Sequence, residues 1–333
     1  MAKRTFIDTQ ATRGATSLLI GLIGASSSGK TMSALRLAKG IQSVTKGEIF
    51  GIDTESGRML HYADEFKFRH VRFDPPHSPE DYLDVFEYCV SKGAGIVIFD
   101  SASHEWEGIG GVLDMHEAEL DRMAGQDFKA RDRLTFPAWA KPKAAHAKFK
   151  QRVVQSNVNC IFCFRAKRKT EMAKETDEKG RKKTTLVDIG WQAISDNDLV
   201  YEMTLRALLP PGSEGRPRWE SDIPGEKEIF KIPKQFLHIF PRGKDVQFGE
   251  DVGEAMARWA AGPDLDVSID ALVDEYQACQ EVGAFRVAQA HMREVWSTLS
   301  AASRRELSDV IASTKTRIGV ATDAVATNSS IAT

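Results

Sequence analysis

The segment Gly24-Ala25-Ser26-Ser27-Ser28-Gly29-Lys30-Thr31 has the residue types and spacing of GxxxxGK[ST]. Backbone N–H groups of such a tight glycine loop converge on a phosphate, and the N-terminus of a following helix adds a favourable dipole. In that pattern Lys30 reaches the β- and γ-phosphates as a point charge and the Thr31 hydroxyl ligates Mg²⁺. Gly24 through Met32 are therefore the candidate ATP-binding residues. The alternative is a glycine-rich turn with an incidental lysine. The flanks argue against it: SLLIGLIG (17–24) reads as a buried strand, and Thr31–Ile41 carries apolar residues at helical spacing. A second candidate is Asp100, which ends the apolar run Gly95–Phe99. A carboxylate there holds a metal's water shell, or else caps a helix or turn. The third role is positioning the water that attacks the γ-phosphate. Asp100 is followed by Ser101 rather than Glu, so that carboxylate comes from elsewhere. Glu55, in Ile52-Asp53-Thr54-Glu55, is preferred; Glu105 is the rival, and a surface carboxylate is the plain alternative.

These residues need elements to hold them. Apolar runs at 17–24, 48–53, 95–99 and 158–164 read as buried strands, and 79–90, 108–124 and 138–155 fit helices. Leu199–Leu208 alternates like a strand. Strands alternating with helices imply a mainly parallel, helix-covered sheet, an α/β class. The expected organisation is a polar arm (1–16), a core (17–262), a helical region (263–319) and a disordered tail (320–333), with a turn at PPGSEGRP (210–217). Residues 250–333 carry 13 acids and 7 bases, so the helical region is an acidic appendage.

At 333 residues the chain is long enough to bury a core, and 45 Lys+Arg against 47 Asp+Glu exclude a uniformly basic protein. Leu18–Ala25 is the longest apolar stretch. It is too short for a bilayer, and it has a better use as a strand than as a secretory core behind Lys3, Arg4 and Arg13. No membrane association is expected. Four scattered cysteines make no disulfide framework, and Cys160-x-x-Cys163 lies in an apolar run without a second half-site. A reduced, cytoplasmic setting is the default.

Charge is local instead. Residues 129–152 hold eight bases against Asp132, and 165–183 hold nine bases against four acids. The second stretch shows no apolar period and reads as a mobile loop. Lys167, Arg168, Lys169, Lys182 and Lys183 are its candidate nucleic-acid contacts, with Phe136, Trp139 and Trp191 available for stacking on bases. The opposing reading is a solvated charged face and core aromatics.

A GxxxxGKT loop, an IDTE after the next strand and an apolar strand ending in Asp-Ser resemble the core of RecA-type recombination ATPases. The sequence is closer still to phage-encoded P-loop ATPases of the Sak-type single-strand annealing group. The matching segments are 24–38, Asp100-Ser-Ala-Ser-His-Glu-Trp-Glu-Gly, Phe162-Cys-Phe-Arg-Ala-Lys and Val200-Tyr-Glu-Met-Thr, within residues 15–260. The resemblance implies a RecA-like P-loop NTPase core that uses ATP and Mg²⁺, binds single-stranded DNA and works in recombination, annealing or repair. It implies a homo-oligomer, ring or filament, with a single-strand DNA-binding protein as a further candidate partner. It assigns water activation to Glu55 and the metal strand to Asp100. Where RecA proteins place an amide that senses the γ-phosphate, this chain has Arg165, which can act by direct charge contact or simply pair with an acid. Two other functions compete. One is a nucleotide-switched module that hydrolyses poorly and loads a helicase. The other is a small-molecule or nucleotide kinase with the basic segment as its lid.

Overall fold

In the computed structural model, residues 16–176, 182–295 and 301–319 are described. They fall into two units, Thr16–Ala260 and a helical unit after it. The first is built on seven strands: β1 (Leu19–Gly24), β2 (Glu48–Asp53), β3 (Arg69–Arg72), β4 (Ala94–Asp100), β5 (Asn159–Thr176), β6 (Lys182–Ala193) and β7 (Leu205–Leu209). The sheet order is β3-β2-β4-β5-β1-β7, all parallel, and β6 pairs antiparallel with β5.

Alternation explains why Ile96–Phe99 of β4 and Cys160–Phe164, the sheet-embedded half of β5, are apolar without a break. Successive side chains point to opposite faces, and a parallel sheet is covered on both. In β4, Ile96 and Ile98 join one buried cluster, while Val97 and Phe99 join the other. In β5, Ile161 and Cys163 pack on the first face, and Cys160, Phe162 and Phe164 on the second. The two cysteines of the CxxC therefore lie on opposite sides of the sheet. They cannot act as a pair, and burial pushes the Cys160 thiol above its ordinary range.

One face is covered by α1 (Lys30–Thr45), whose Leu35, Leu37, Ala38 and Ile41 are buried. The other is covered by α2 (Pro79–Ser91), with Ser78 as its cap and Pro79 at its first turn. Beyond β4 come α3 (His104–Glu107), α4 (Val112–Ala124), α5 (Phe128–Ala138) and α6 (Ala140–Val154). Asp127 caps α5 by accepting from Lys129 N and Ala130 N. α7 (Asn197–Glu202), α8 (Pro224–Lys227) and α9 (Glu250–Ala261) follow β6, β7 and a long connection. The second unit contains α10 (Pro263–Ala278), α11 (Val282–Val295) and α12 (Ala301–Ile318), with Leu272, Tyr276, Phe285 and Leu307 in its core.

Two expectations are corrected. The stretch 165–183 is not a loop: β5 runs through Thr176 and turns back as β6, with 177–181 outside the described residues. Leu199–Leu208 is not one strand. Asp196 accepts from Asp198 N and starts a helical turn, and only Leu205–Leu209 continues the sheet. The expected arm and tail fall outside the described residues, apart from Thr16. Among the described residues, no helix is long and apolar enough to cross a membrane.

Candidate functional site

β1 ends at Gly24, between Arg165 of β5 and Leu209 of β7. Only glycine fits there, because a β-carbon would sit 2.5 Å from both the Leu209 carbonyl oxygen and Ser28 Oγ. The chain then makes the turn 25–29 and enters α1, with Gly29 in the left-handed region at φ 84°. The loop thus stands at the carboxyl end of an interior parallel strand and at a helix N-terminus, where anions bind in open α/β sheets.

Lys30 folds back over this turn. Its Nζ donates to Gly24 O (3.0 Å) and Ala25 O (2.7 Å). Burial lowers its pKa against the opposing pull of nearby groups, including Asp100 and Glu55. Thr31 Oγ1 donates to Asp100 Oδ2 at 2.6 Å, joining the first turn of α1 to the end of β4. Asp100 is almost wholly buried. Desolvation raises its pKa to about 6, partly offset by the Thr31 hydrogen bond.

Glu55 faces the same space because Asp53, opposite Asp100 in the sheet, organises the turn after β2. Asp53 Oδ1 accepts from Glu55 N (2.7 Å), and Oδ2 accepts from Met59 N (3.0 Å). Thr54 N donates to Asp100 O, and Ser101 N donates to Thr54 Oγ1, tying the two strand ends together. Both oxygens of Glu55 are occupied. Oε1 accepts from Arg165 Nε (3.0 Å) and Nη2 (2.8 Å), and Oε2 accepts from Arg58 Nη1 (2.8 Å). Burial pushes the Glu55 carboxyl up, but the Arg165 hydrogen bonds and the charges of Arg165 and Arg58 hold it below its ordinary value.

A cavity of about 400 Å³ is lined by Ser26 through Thr31, Glu55, Arg58, His61, Tyr62, Asp100 and Arg165. Most of the residues singled out in the sequence therefore meet in one place. Gly24 and Ala25 lie beneath it, their carbonyls holding Lys30. Met32 packs against the core instead. Glu105 is not among the lining residues. It is fully buried, with Oε1 bonded to His146 Nδ1 at 2.8 Å, and burial raises its pKa. A larger cleft of about 870 Å³ opens between Pro217 and Asp245, but no residue of the glycine loop lines it.

No family model matches the chain, and no curated protein does. The geometry therefore carries the functional argument alone.

Sequence reasoning misses Arg58. It stands three residues beyond Glu55, a spacing that a turn brings together, but it belongs to no motif. Ser103 is missed as well; its Oγ accepts from Arg165 N and fixes the backbone of the clamping arginine. The segment 213–215 reads in sequence only as a turn, yet Ser213 Oγ donates to Ser28 O and supports the glycine loop from behind.

Among the nucleic-acid candidates, Lys167, Arg168 and Lys169 are exposed on β5 where it leaves the sheet, Arg168 pairing with Asp188. Lys182 and Lys183 lie across the hairpin, opposite Thr176 and Glu175 in register. The aromatics divide. Trp139 stacks on His116 (centroids 4.0 Å apart) and Trp106, and Trp191 packs partly buried against the core. Phe136 is exposed.

Asp100 gives a pH prediction. Its folded pKa, about 6, lies above the ordinary 3.8, so folding favours the protonated acid. That contribution is complete below pH ~4 and is lost as pH rises through ~6, up to about 3 kcal/mol. Asp100→Asn, which keeps an acceptor for Thr31, should raise the melting temperature of the ligand-free protein by several degrees at pH 8 and little at pH 4. Thermal unfolding at both pH values measures it, and an equal effect at the two would contradict the assignment.

Proposed function

We propose that the cavity binds ATP and that the protein is a RecA-like P-loop ATPase acting on single-stranded DNA. The observation that carries this reading is the Thr31–Asp100 hydrogen bond. It brings the hydroxyl after the loop lysine and the strand-end carboxylate to 2.6 Å at the mouth of a glycine loop. A hydroxyl beside a buried carboxylate suits a hard, oxygen-seeking cation that keeps several waters, which is the behaviour of Mg²⁺. Thr31 would hold such an ion directly and Asp100 through its water shell, and when bound it neutralises charge on the β- and γ-phosphates.

The remaining work falls to the chain. Loop amides at 26–31 grip the phosphates, and Lys30 leaves the Gly24 and Ala25 carbonyls to follow charge developing on the γ-phosphoryl oxygens. Glu55 orients a water in line with the bond to be broken, and Arg165 stands beside the terminal phosphate as a cation. Asp53 and Thr54 hold Glu55 and Asp100 at a fixed separation. ATP binding measured by titration calorimetry, together with phosphate release, tests the reading; a chain that binds no nucleotide at millimolar ATP and Mg²⁺ contradicts it.

One observation favours a switched module over a constitutive hydrolase. Oε1 of Glu55 accepts twice from Arg165 and Oε2 once from Arg58, so the arginines take three of the roughly four acceptor sites with which it could orient a water. Basal turnover is therefore expected to be slow, and DNA should raise it, because Arg165 leads directly into the basic hairpin. The route runs through backbone: Arg165 ends the β1-paired part of β5, and its carbonyl accepts from Ile194 N at the hairpin's return.

The hairpin itself is the proposed DNA contact. Replacing Lys167, Arg168 and Lys169 by alanine should weaken single-stranded DNA binding. It should also shallow the slope of log affinity against log salt by ~0.7 for each phosphate that is no longer neutralised. Fluorescence anisotropy across a salt series measures both, and an unchanged slope removes the hairpin from the interface.

A further inference from the structure

Helix α5 carries an unusual solvent face. Phe128 is 83% exposed and Phe136 89%, the two largest values among the exposed large apolar side chains described. They are eight residues apart, roughly 2.2 turns or ~80° around the axis, so they share one broad face, with their attachment points ~12 Å apart along the axis. Asp132, one turn from each ring, stands between them on the same face, and Lys129 and Arg133 border it; all three are exposed. Burying such rings gains energy, so two of them left in water on one helix face make that face a candidate interaction surface.

Charge indicates what the surface takes. The acids of the neighbouring α4 are already engaged: Arg131 binds both Glu117 and Asp121, and Arg122 binds Glu119. Helix α6 carries five Lys and Arg residues and no acid. Arg152 pairs with Glu87, and Lys141 and Lys150 reach acids only at 4.0 and 3.8 Å. Lys129, Arg133, Lys143 and Lys148 make no ion pair among the described residues, against Asp132 alone on the exposed face of α5. Lys143 stands over the Trp139 ring, 5.9 Å from its centroid, and none of the four cations is neutralised by an acid among the described residues. Aromatic rings beside such cations match a polyanion whose repeating units carry flat faces.

We infer that α5 is a base-stacking platform for single-stranded DNA: Phe128 and Phe136 each stack on a base, while Lys129, Arg133, Lys143 and Lys148 neutralise the phosphates alongside. Twelve ångströms is three to four rises of a stacked strand at 3.4 Å, so the two rings would grip bases separated by two or three nucleotides. This rests on the DNA-binding reading above and adds a second contact to the basic hairpin. Stacking is indifferent to base identity, so this contact supplies affinity without sequence preference.

The test is a pair of oligonucleotides of equal length, one normal and one abasic over its central nucleotides, titrated against wild type, Phe128→Ala/Phe136→Ala and Phe136→Trp. Both phenylalanines are exposed, so the double variant should fold, and its melting temperature checks this. We expect each ring to be worth about 5- to 150-fold in affinity for the normal strand. The salt slope should stay unchanged, and the double variant should lose the preference for normal over abasic DNA. Phe136→Trp should retain affinity, with its indole fluorescence quenched by the normal strand only. Wild-type affinity in the double variant, or loss of affinity equal for both strands, overturns the platform. So does a change in assembly mass without a change in DNA affinity, which would make the face a contact between copies. Those results leave the DNA-binding reading standing so long as wild type binds and the Lys167/Arg168/Lys169 variant does not. If wild type binds neither strand, that broader reading fails as well.

Discussion

Lys30→Ala should abolish ATP turnover while leaving the fold in place. In the ligand-free protein the ammonium's partners are two backbone carbonyls and the Ser28 hydroxyl of its own loop, which water can satisfy once the side chain is gone. With nucleotide present nothing replaces it. Removing a preorganised charge from the transferring phosphoryl group costs about 3 kcal/mol or more, at least a hundredfold in rate. On the proposed reading the lysine also holds the ground-state phosphates, so ATP affinity should fall too. Phosphate-release kinetics and an ATP titration separate the two effects. A variant within threefold of wild type in both would mean that the loop is an ordinary turn.

The second large effect is at Glu55. Glu55→Gln keeps the size and the hydrogen-bonding oxygen but removes the negative charge that the proposed mechanism uses to orient and polarise the attacking water. Turnover should drop by about 10²- to 10⁴-fold. ATP binding should persist or tighten, because the cavity loses an anion that repels the γ-phosphate. The variant also distinguishes the two candidate carboxylates. Glu105 lies buried against His146, outside the cavity, so its replacement by glutamine should disturb stability rather than the reacting water. Single-turnover measurements under saturating ATP are the appropriate readout. Wild-type rates in Glu55→Gln would leave Asp100 as the only carboxylate among the lining residues, and would rule out the water-positioning role argued above.

Legibility in the sequence follows the range of the interactions. The glycine loop, Lys30 and Thr31 are contiguous, and their flanking strand and helix have clean periods, so the local sequence specifies both chemistry and placement. Asp100 and Glu55 are readable because each follows an apolar run, and parallel strands in register bring such ends together; Asp53 stands opposite Asp100. What stays hidden depends on partners distant in sequence. The clamp on Glu55 joins residues 110 positions apart. The burial of Glu105 depends on a histidine 41 positions away.

The hairpin escapes sequence reasoning for a different reason. Its strands carry charged runs such as Lys167-Arg168-Lys169 and only scattered apolar residues, so no apolar period marks them, and the density of Lys and Glu imitates a loop. Pairing shows in the register, with Met172 directly opposite Leu186. The stacking platform is half visible in the sequence: Phe136 lies within its basic stretch, but Phe128 precedes it. Exposure, which separates Phe136 from the packed Trp139, is a property of the fold alone.

Everything turns on whether the loop at 24–31 cradles a triphosphate. The most direct measurement is a structure of the protein with a non-hydrolysable ATP analogue and Mg²⁺. The account predicts the triphosphate on the amides of 26–31, Lys30 Nζ moved off Gly24 O and Ala25 O onto the β- and γ-oxygens, and the metal beside Thr31. Lys30 still on its own carbonyls at saturating ligand, with the analogue absent or bound elsewhere, would contradict it.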